Sequence, residues 1–203
     1  RTAATGDAAC TRNLTIDSPW SGQTYYTDVL SVSAGETTTA ILYGNGEAYI
    51  ETSSTDETVS NVTSISCGTY ACVALKNDGT AEAWGSSSLG GDTSGVDLTN
   101  VASISCGIFA CVALKNDGTA EAWGNSAYGG DASGVDLTNV ASISCGDNAC
   151  WALKNDGTAE AWGNSAYGGD TSGVDLTNVA SISCVSYACV ALKNDGTAEA
   201  WGS

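Results

Sequence analysis

Eight of the nine cysteines form four Cys-x4-Cys pairs: Cys67/Cys72, Cys106/Cys111, Cys145/Cys150 and Cys184/Cys189. Two thiols at this spacing can close a disulfide across a hairpin or offer two soft ligands to a metal. The chain has no histidine, so zinc would need thiolates drawn from separate copies of the motif. Free thiols packed as small apolar groups are the third alternative. An upstream stretch aligns with the first copy when Gly35 is set on Gly68 and Gly46 on Gly79, and there both cysteines are lost together, as Ala34 and Thr39. Joint loss is what bonding between the two thiols of one unit predicts. The reading is therefore four disulfides, no metal centre and no cofactor.

The recurring carboxylates invite acid–base chemistry. Asp117 and its copies, however, stand in an Asn-Asp-Gly sequence that favours a turn, and Glu121 and its copies read as repeat-surface residues. A glycosidase needs two carboxyl groups in different environments, whereas copied positions see similar ones. Without histidine there is no Ser-His or Cys-His nucleophile pair. Gly129-Gly130-Asp131 through Asp136-Leu137 faintly resembles a calcium-binding nonapeptide, but the Gly and Asp spacing is wrong, so it reads as a crossover loop. Trp84, Trp123, Trp162 and Trp201 could stack on sugars; occurring once per unit, they read as packing elements. No catalytic residue is assigned, and the expectation is that the protein is not an enzyme.

The elements that hold these residues come from a 39-residue repeat. Residues 62–100, 101–139 and 140–178 are near-identical units, with a degenerate unit at 29–61 before them and a truncated one at 179–203 after. The second and third full units differ only at Ile108/Asp147, Phe109/Asn148, Val112/Trp151 and Ala132/Thr171. A fixed period of this length is one supersecondary unit copied and stacked. Within a unit, Val101–Cys106 alternates and is rich in β-formers, Gly107–Ala110 connects, Cys111–Lys115 returns, and Asn116-Asp117-Gly118 turns the chain into a third strand at Thr119–Gly124. The Gly-rich remainder crosses to the next unit, with Val135–Leu137 expected as a short outer strand. The fold class is all-β: a β-propeller of five blades.

Closure follows from arithmetic. The last unit lacks the positions that Thr15–Asp28 would supply, and Tyr26-Thr27-Asp28-Val29 echoes Leu176-Thr177-Asn178-Val179. Residues 1–14 read as a tail, and 15–203 as one repeat domain whose segment 15–28 completes the last blade of its own ring or of a neighbour's. Either would remove an exposed sheet edge.

Composition sets further bounds. The net charge is −17, and besides Arg1 and Arg12 the basic residues are four repeat lysines, so no basic patch exists for nucleic acid. No apolar stretch has the length of a membrane span. With 25 Gly, one Phe and no Met, the core must be built from small residues in closely packed sheets. Nine cysteines point to an oxidising, extracellular setting. Cys10 is left over, either as an unpaired thiol in the tail or as a covalent link to another chain. Asn13 and Asn61 open sequons, which a eukaryotic secretory route would glycosylate.

The string running through Gly107, Ala113-Leu114-Lys115, Asp117-Gly118 and Trp123-Gly124, with its equivalents in the other units, resembles the regulator-of-chromosome-condensation repeat. The short unit looks most like that of the bacterial propeller-type β-lactamase inhibitor proteins. The resemblance spans about residues 29–203 and implies a β-propeller used for protein binding. The cysteine pairs are not part of that family's usual pattern, it usually has seven blades, and Val185 replaces its glycine in the last unit.

One connection varies while its frame stays fixed: Thr69-Tyr70, Ile108-Phe109, Asp147-Asn148 and Ser186-Tyr187. These loops are the candidate binding residues. The leading expectation is a secreted, disulfide-stapled structural protein that assembles with itself or with other extracellular proteins. The alternative is a monomeric binding module, lectin-like or a protein inhibitor, which would use those loops and would include glycans among its ligands.

Overall fold

The computed structural model describes residues 29–52 and 56–203, arranged as five antiparallel sheets side by side. Blade 1 has four strands, β1 (Val29–Ala34), β2 (Thr38–Tyr43), β3 (Ala48–Thr52) and β4 (Asp56–Val59). Blade 2 holds β5 (Val62–Cys67), β6 (Ala71–Lys76) and β7 (Ala81–Gly85), and blade 3 holds β8 (Val101–Cys106), β9 (Ala110–Lys115) and β10 (Ala120–Gly124). Blade 4 comprises β11 (Val140–Cys145), β12 (Ala149–Lys154) and β13 (Ala159–Gly163); blade 5 comprises β14 (Val179–Val185), β15 (Ala188–Lys193) and β16 (Ala198–Gly202). Five blades are what the repeat count requires. The segment Thr15–Asp28, the tail, Cys10 and Asn13 lie outside the described residues.

The Lys-Asn-Asp-Gly-Thr turn closes on itself. Gly118 N–H donates to the Lys115 carbonyl at 3.0 Å, and Lys115 N–H to that of Thr119 at 2.8 Å. Gly118 sits at φ +81°, a conformation glycine adopts without penalty. The Asp117 carboxylate accepts both the Thr119 N–H and its hydroxyl, at 3.0 and 2.7 Å. Local chemistry thus sets each β-hairpin.

The crossover differs from expectation. Val135–Leu137 forms no strand; a single bond, Ala120 N–H to the Leu137 carbonyl at 3.0 Å, ties it to β10. Its Asp136 side chain is engaged with Lys154 and Thr138, and Asn139 takes φ +57°, which breaks the ladder. Ser126–Tyr128 forms a one-turn 3-10 helix instead, with the Asn125 side chain accepting from Ala127 N–H.

Adjacent blades share one core each. Val73 and Leu75 of blade 2 pack on Ile104, Cys106, Cys111, Ala113 and Trp123 of blade 3, and the equivalent residues join blades 3 and 4 and blades 4 and 5. Each buried indole also latches backward: Trp123, Trp162 and Trp201 donate N–H to the carbonyls of Gly90, Gly129 and Gly168 at 2.9 Å. In the degenerate first crossover that glycine is missing, and Trp84 bonds the Glu57 carboxylate. Trp123, Trp162 and Trp201 are packing elements; blade 1 has no counterpart, and Trp84 is half-buried.

The inner strands are linked by rungs. Cys67, Cys106 and Cys145 N–H donate to the hydroxyls of Ser33, Ser66 and Ser105 on the preceding blade, at 3.0–3.2 Å. Beside these rungs the blades nearly touch: a Cβ on Gly68 would lie 1.7 Å from the Gly107 carbonyl oxygen, and one on Gly107 would lie 1.9 Å from that of Gly146. The junction of blades 4 and 5 is wider. There Ser144 and Cys184 make no rung, and a Cβ on Gly146 would meet nothing nearer than 3.6 Å. Beyond it β14 runs one residue further and carries Val185 where the other units have glycine.

Each repeat lysine from Lys115 onward is buried and paired across a blade boundary. Lys115, Lys154 and Lys193 reach Asp97, Asp136 and Asp175 at 2.5–2.6 Å. Lys76 finds Thr58 at the corresponding position and pairs with Glu82 of its own blade. The ammonium and the neighbouring threonine hydroxyl hold Asp97, Asp136 and Asp175 down at about 2, against an ordinary 3.8. Because the folded value lies below the unfolded one, this contribution is complete above pH 3.8 and is lost as pH falls towards 2. The thermal midpoint, followed by near-UV circular dichroism, is expected to fall across that window. The Asp136→Asn variant should start lower and show a shallower acid slope; an unchanged slope would remove the pairs from the account.

Candidate binding face

The variable loops are held by their frame. The four disulfides join Cys67–Cys72, Cys106–Cys111, Cys145–Cys150 and Cys184–Cys189 with Cα atoms 4.0–4.1 Å apart, each pair directly opposed on neighbouring strands. All eight cysteines among the described residues are bonded within their own hairpins. Below the first three bridges a glycine N–H closes the loop onto the alanine carbonyl at 2.8 Å, as Gly107 does to Ala110, and in the last unit Val185 pairs with Ala188 instead. From outside, the start of the next crossover donates to the loop: Ser86, Asn125, Asn164 and Ser203 N–H reach the carbonyls of Tyr70, Phe109, Asn148 and Tyr187 at 2.8–3.0 Å. Side chains at Thr69, Tyr70, Ile108, Phe109, Asp147, Asn148, Ser186 and Tyr187 can change without moving this backbone.

The loops assemble into one face. Tyr70 and Phe109 stack with ring centroids 6.0 Å apart, Phe109 lies 4.7 Å from Tyr128, and Tyr187 lies 5.0 Å from Tyr167. Tyr128 and Tyr167 come from the 3-10 turns of the crossovers and were not among the residues marked by loop variability. Their signal is the Ala-Tyr-Gly-Gly string, which places a ring on the turn 19 residues after Phe109 and 20 before Tyr187. Asn148 spans the wider last junction, donating from its side chain to the Ser186 carbonyl at 2.7 Å. On the inner side, Gly35, Gly68, Gly107 and Gly146 converge around an open depression of about 260 Å³, flanked by Ile108 and Asp147.

The carboxylates elsewhere have local work. Asp131 accepts the Ser133 N–H, and Asp136 holds Lys154 and Thr138, so the stretch read as a crossover loop is tied within the fold. Asp117, Asp156 and Asp195 sit below the ordinary carboxylate range because threonine hydroxyls and N–H groups donate to them. Asn61 is exposed at φ +64°; its counterparts Asn100, Asn139 and Asn178 each accept from a turn asparagine at 3.2 Å, whereas the Asn61 side chain makes no such bond. Among the described residues, no helix is long and apolar enough to cross a membrane.

The ends of the array differ from its middle. Val29, Leu30 and Val32 of blade 1 are 41%, 65% and 62% exposed, and Val185, Tyr187, Val190 and Leu192 of blade 5 are 45–73% exposed. No core cluster among the described residues joins the first sheet to the fifth.

No protein-family model matches the chain, and no curated protein matches it in sequence. Solved structures match it in shape. Human WBSCR16 aligns with 87% of this chain and 62% of its own, at 22% identity and a TM-score of 0.56. The CRINKLY WD40 ectodomain of the Arabidopsis thaliana receptor kinase ACR4 aligns with 89% of this chain and 65% of its own, at 15% identity and 0.59. Prp20p of Saccharomyces cerevisiae, the yeast RCC1, aligns with 87% of this chain and 58% of its own, at 19% identity and 0.57. The chain spans less than two thirds of the length of each, and the likeness is one of fold: the β-propeller.

Proposed function

We propose that this is an extracellular, disulfide-stapled structural repeat protein of the regulator-of-chromosome-condensation type, which associates with copies of itself or with other extracellular proteins. The observation that carries the reading is the pair of uncovered apolar end faces, Val29, Leu30 and Val32 at one end and Val190 and Leu192 at the other. A large apolar surface left open at both ends of a stack is the mark of an interaction site. The four bridges support an oxidising compartment, and the exposed Asn61 sequon fits a secretory route. Sedimentation velocity over a wide concentration range, with and without reductant, tests it. The weight-average mass is expected to rise with concentration; a single monomeric mass throughout would overturn the assembly reading.

The second reading is a monomeric binding module. It is favoured by two ring groups, Tyr70–Phe109–Tyr128 and Tyr167–Tyr187, carried by the same run of loops whose Thr69, Ile108 and Asp147 line the glycine-rimmed depression. Aromatic side chains on a rigid frame provide contact area at low entropic cost. A monomeric mass at every concentration would leave this reading in place, with glycans and proteins as its ligand classes.

A further inference from the structure

Blade 2 opens on a motif that no other described unit carries. Thr63 stands on β5 where the later units have Ala102, Ala141 and Ala180. Asn61-Val62-Thr63 is therefore a sequon, while Asn100, Asn139 and Asn178, the copies of Asn61, open none. Asn61 and Thr63 are both exposed. The backbone beneath them is fixed from two sides. The Asn61 carbonyl accepts the Asn77 N–H at 2.8 Å, and Val62 N–H donates to the Gly46 carbonyl at 2.8 Å, which clamps the site between the hairpin turns of blades 1 and 2. At φ +64° Asn61 holds a left-handed conformation that asparagine tolerates better than most residues.

The surroundings suit a bulky polar group. The strand β5 runs from Val62 to Cys67, about 17 Å, so Asn61 stands at the opposite end of the blade from the Gly68-Thr69-Tyr70 loop. Its end of the sheets carries the turn carboxylates Asp78, Asp117, Asp156 and Asp195, whereas the rings of Tyr70 and Phe109 lie at the loop end. A branched sugar on Asn61 would thus cover charged, hydrated surface and leave the loop face open. In the later units the side chains of Asn116, Asn155 and Asn194 donate to those of Asn100, Asn139 and Asn178 at 3.2 Å, a bond that Asn61 does not share.

We propose that Asn61 carries an N-linked glycan on the turn end of blade 2, and that its three copies do not. The proposal rests on the extracellular reading. The co-reactant is a lipid-linked oligosaccharyl diphosphate. Asn61 Nδ2 attacks the anomeric carbon of the first sugar, the N–C bond forms as the C–O bond to the diphosphate breaks, the diphosphate leaves with the bonding pair, and Nδ2 gives up one proton to the transferase. The hydroxyl at the third position is part of the acceptor signal. In the folded chain the Thr63 hydroxyl donates to the Leu75 carbonyl at 3.1 Å, so the sequon is presented before β5 pairs with β6. Once the hairpin closes, the exposed Asn61 side chain leaves the sugar room outside the fold.

The test is made on the full chain secreted by a eukaryotic cell line behind a signal peptide. Peptide N-glycosidase in heavy-oxygen water turns a glycan-bearing asparagine into labelled aspartate, and mass spectrometry of the peptide spanning Asn61 is expected to find the label at residue 61 in most secreted molecules. Thr63→Ala should abolish the label without changing the circular dichroism spectrum, because alanine is what the repeat itself carries there. Thr63→Ser, which keeps the hydroxyl, should retain it. An unlabelled Asn61 in chain secreted with its four bridges formed would overturn the site and leave the extracellular reading standing. A label that persists in Thr63→Ala would be spontaneous deamidation and would overturn it equally. A chain that is not secreted with those bridges formed would overturn the extracellular reading and the proposal with it.

Discussion

Gly107→Ala is expected to destabilise the chain by about 3 kcal/mol, while Gly146→Ala costs less than about 1 kcal/mol. The two glycines are copies of one repeat position, and neither needs a left-handed backbone, so the contrast is purely steric. At residue 107 the new methyl would sit 1.9 Å from the Gly146 carbonyl oxygen and 3.3 Å from Cys145 Cβ, and only a shift of whole blades could relieve it. That shift would also break the rung from Cys145 N–H to the Ser105 hydroxyl. At residue 146 the nearest atoms lie at 3.6 and 3.9 Å, ordinary contact distances. Urea unfolding of both variants, followed by circular dichroism, measures the difference. Equal losses would mean that the junctions of blades 3–4 and 4–5 do not differ in tightness.

Trp162→Ala should cost about 4 kcal/mol, the range for deleting a fully buried aromatic side chain. It removes an indole that is 4% exposed and leaves the buried Gly129 carbonyl without its donor. Trp84→Ala should cost about half as much. Trp84 is only half-buried, and its partner, the Glu57 carboxylate, is exposed and can turn to water when the indole is gone. The comparison is best made by thermal unfolding, where the two variants should separate clearly in midpoint. Near-identical midpoints would show that the backward latch contributes little beyond the ring itself.

What was legible in the sequence was what is decided locally. Asn116-Asp117-Gly118 closes its turn through atoms no more than four residues apart, and the joint replacement of both cysteines, by Ala34 and Thr39, marks a bond within one hairpin. The strands followed to within a residue: β9 opens at Ala110 and β10 at Ala120. The outer strand expected at Val135–Leu137 does not form, because the Asp136 side chain is committed to Lys154 on the next blade and Asn139 turns left-handed. That pairing leaves a visible trace, an Asp standing 18 residues before each Lys from Lys115 onward, but the trace has meaning only once neighbouring units are known to touch. The loop aromatics were half legible for the same reason. Tyr70, Phe109 and Tyr187 vary in place, whereas Tyr128 and Tyr167 reach the face through a crossover whose fold depends on the blade beside it.

Each bridge spans a sequence separation of only five residues. Pulled from its two ends, the chain would therefore find almost nothing locked. Only the four loop residues inside each bridge are shielded from tension, and the rest of a 39-residue unit is free to unravel to about 120 Å. The staples keep the first hairpin of blades 2 to 5 in register, so each of those blades, when stretched, retains the seed from which it can refold. Because neighbouring blades share their cores, a row of them would yield blade by blade from an end, each loss uncovering the next.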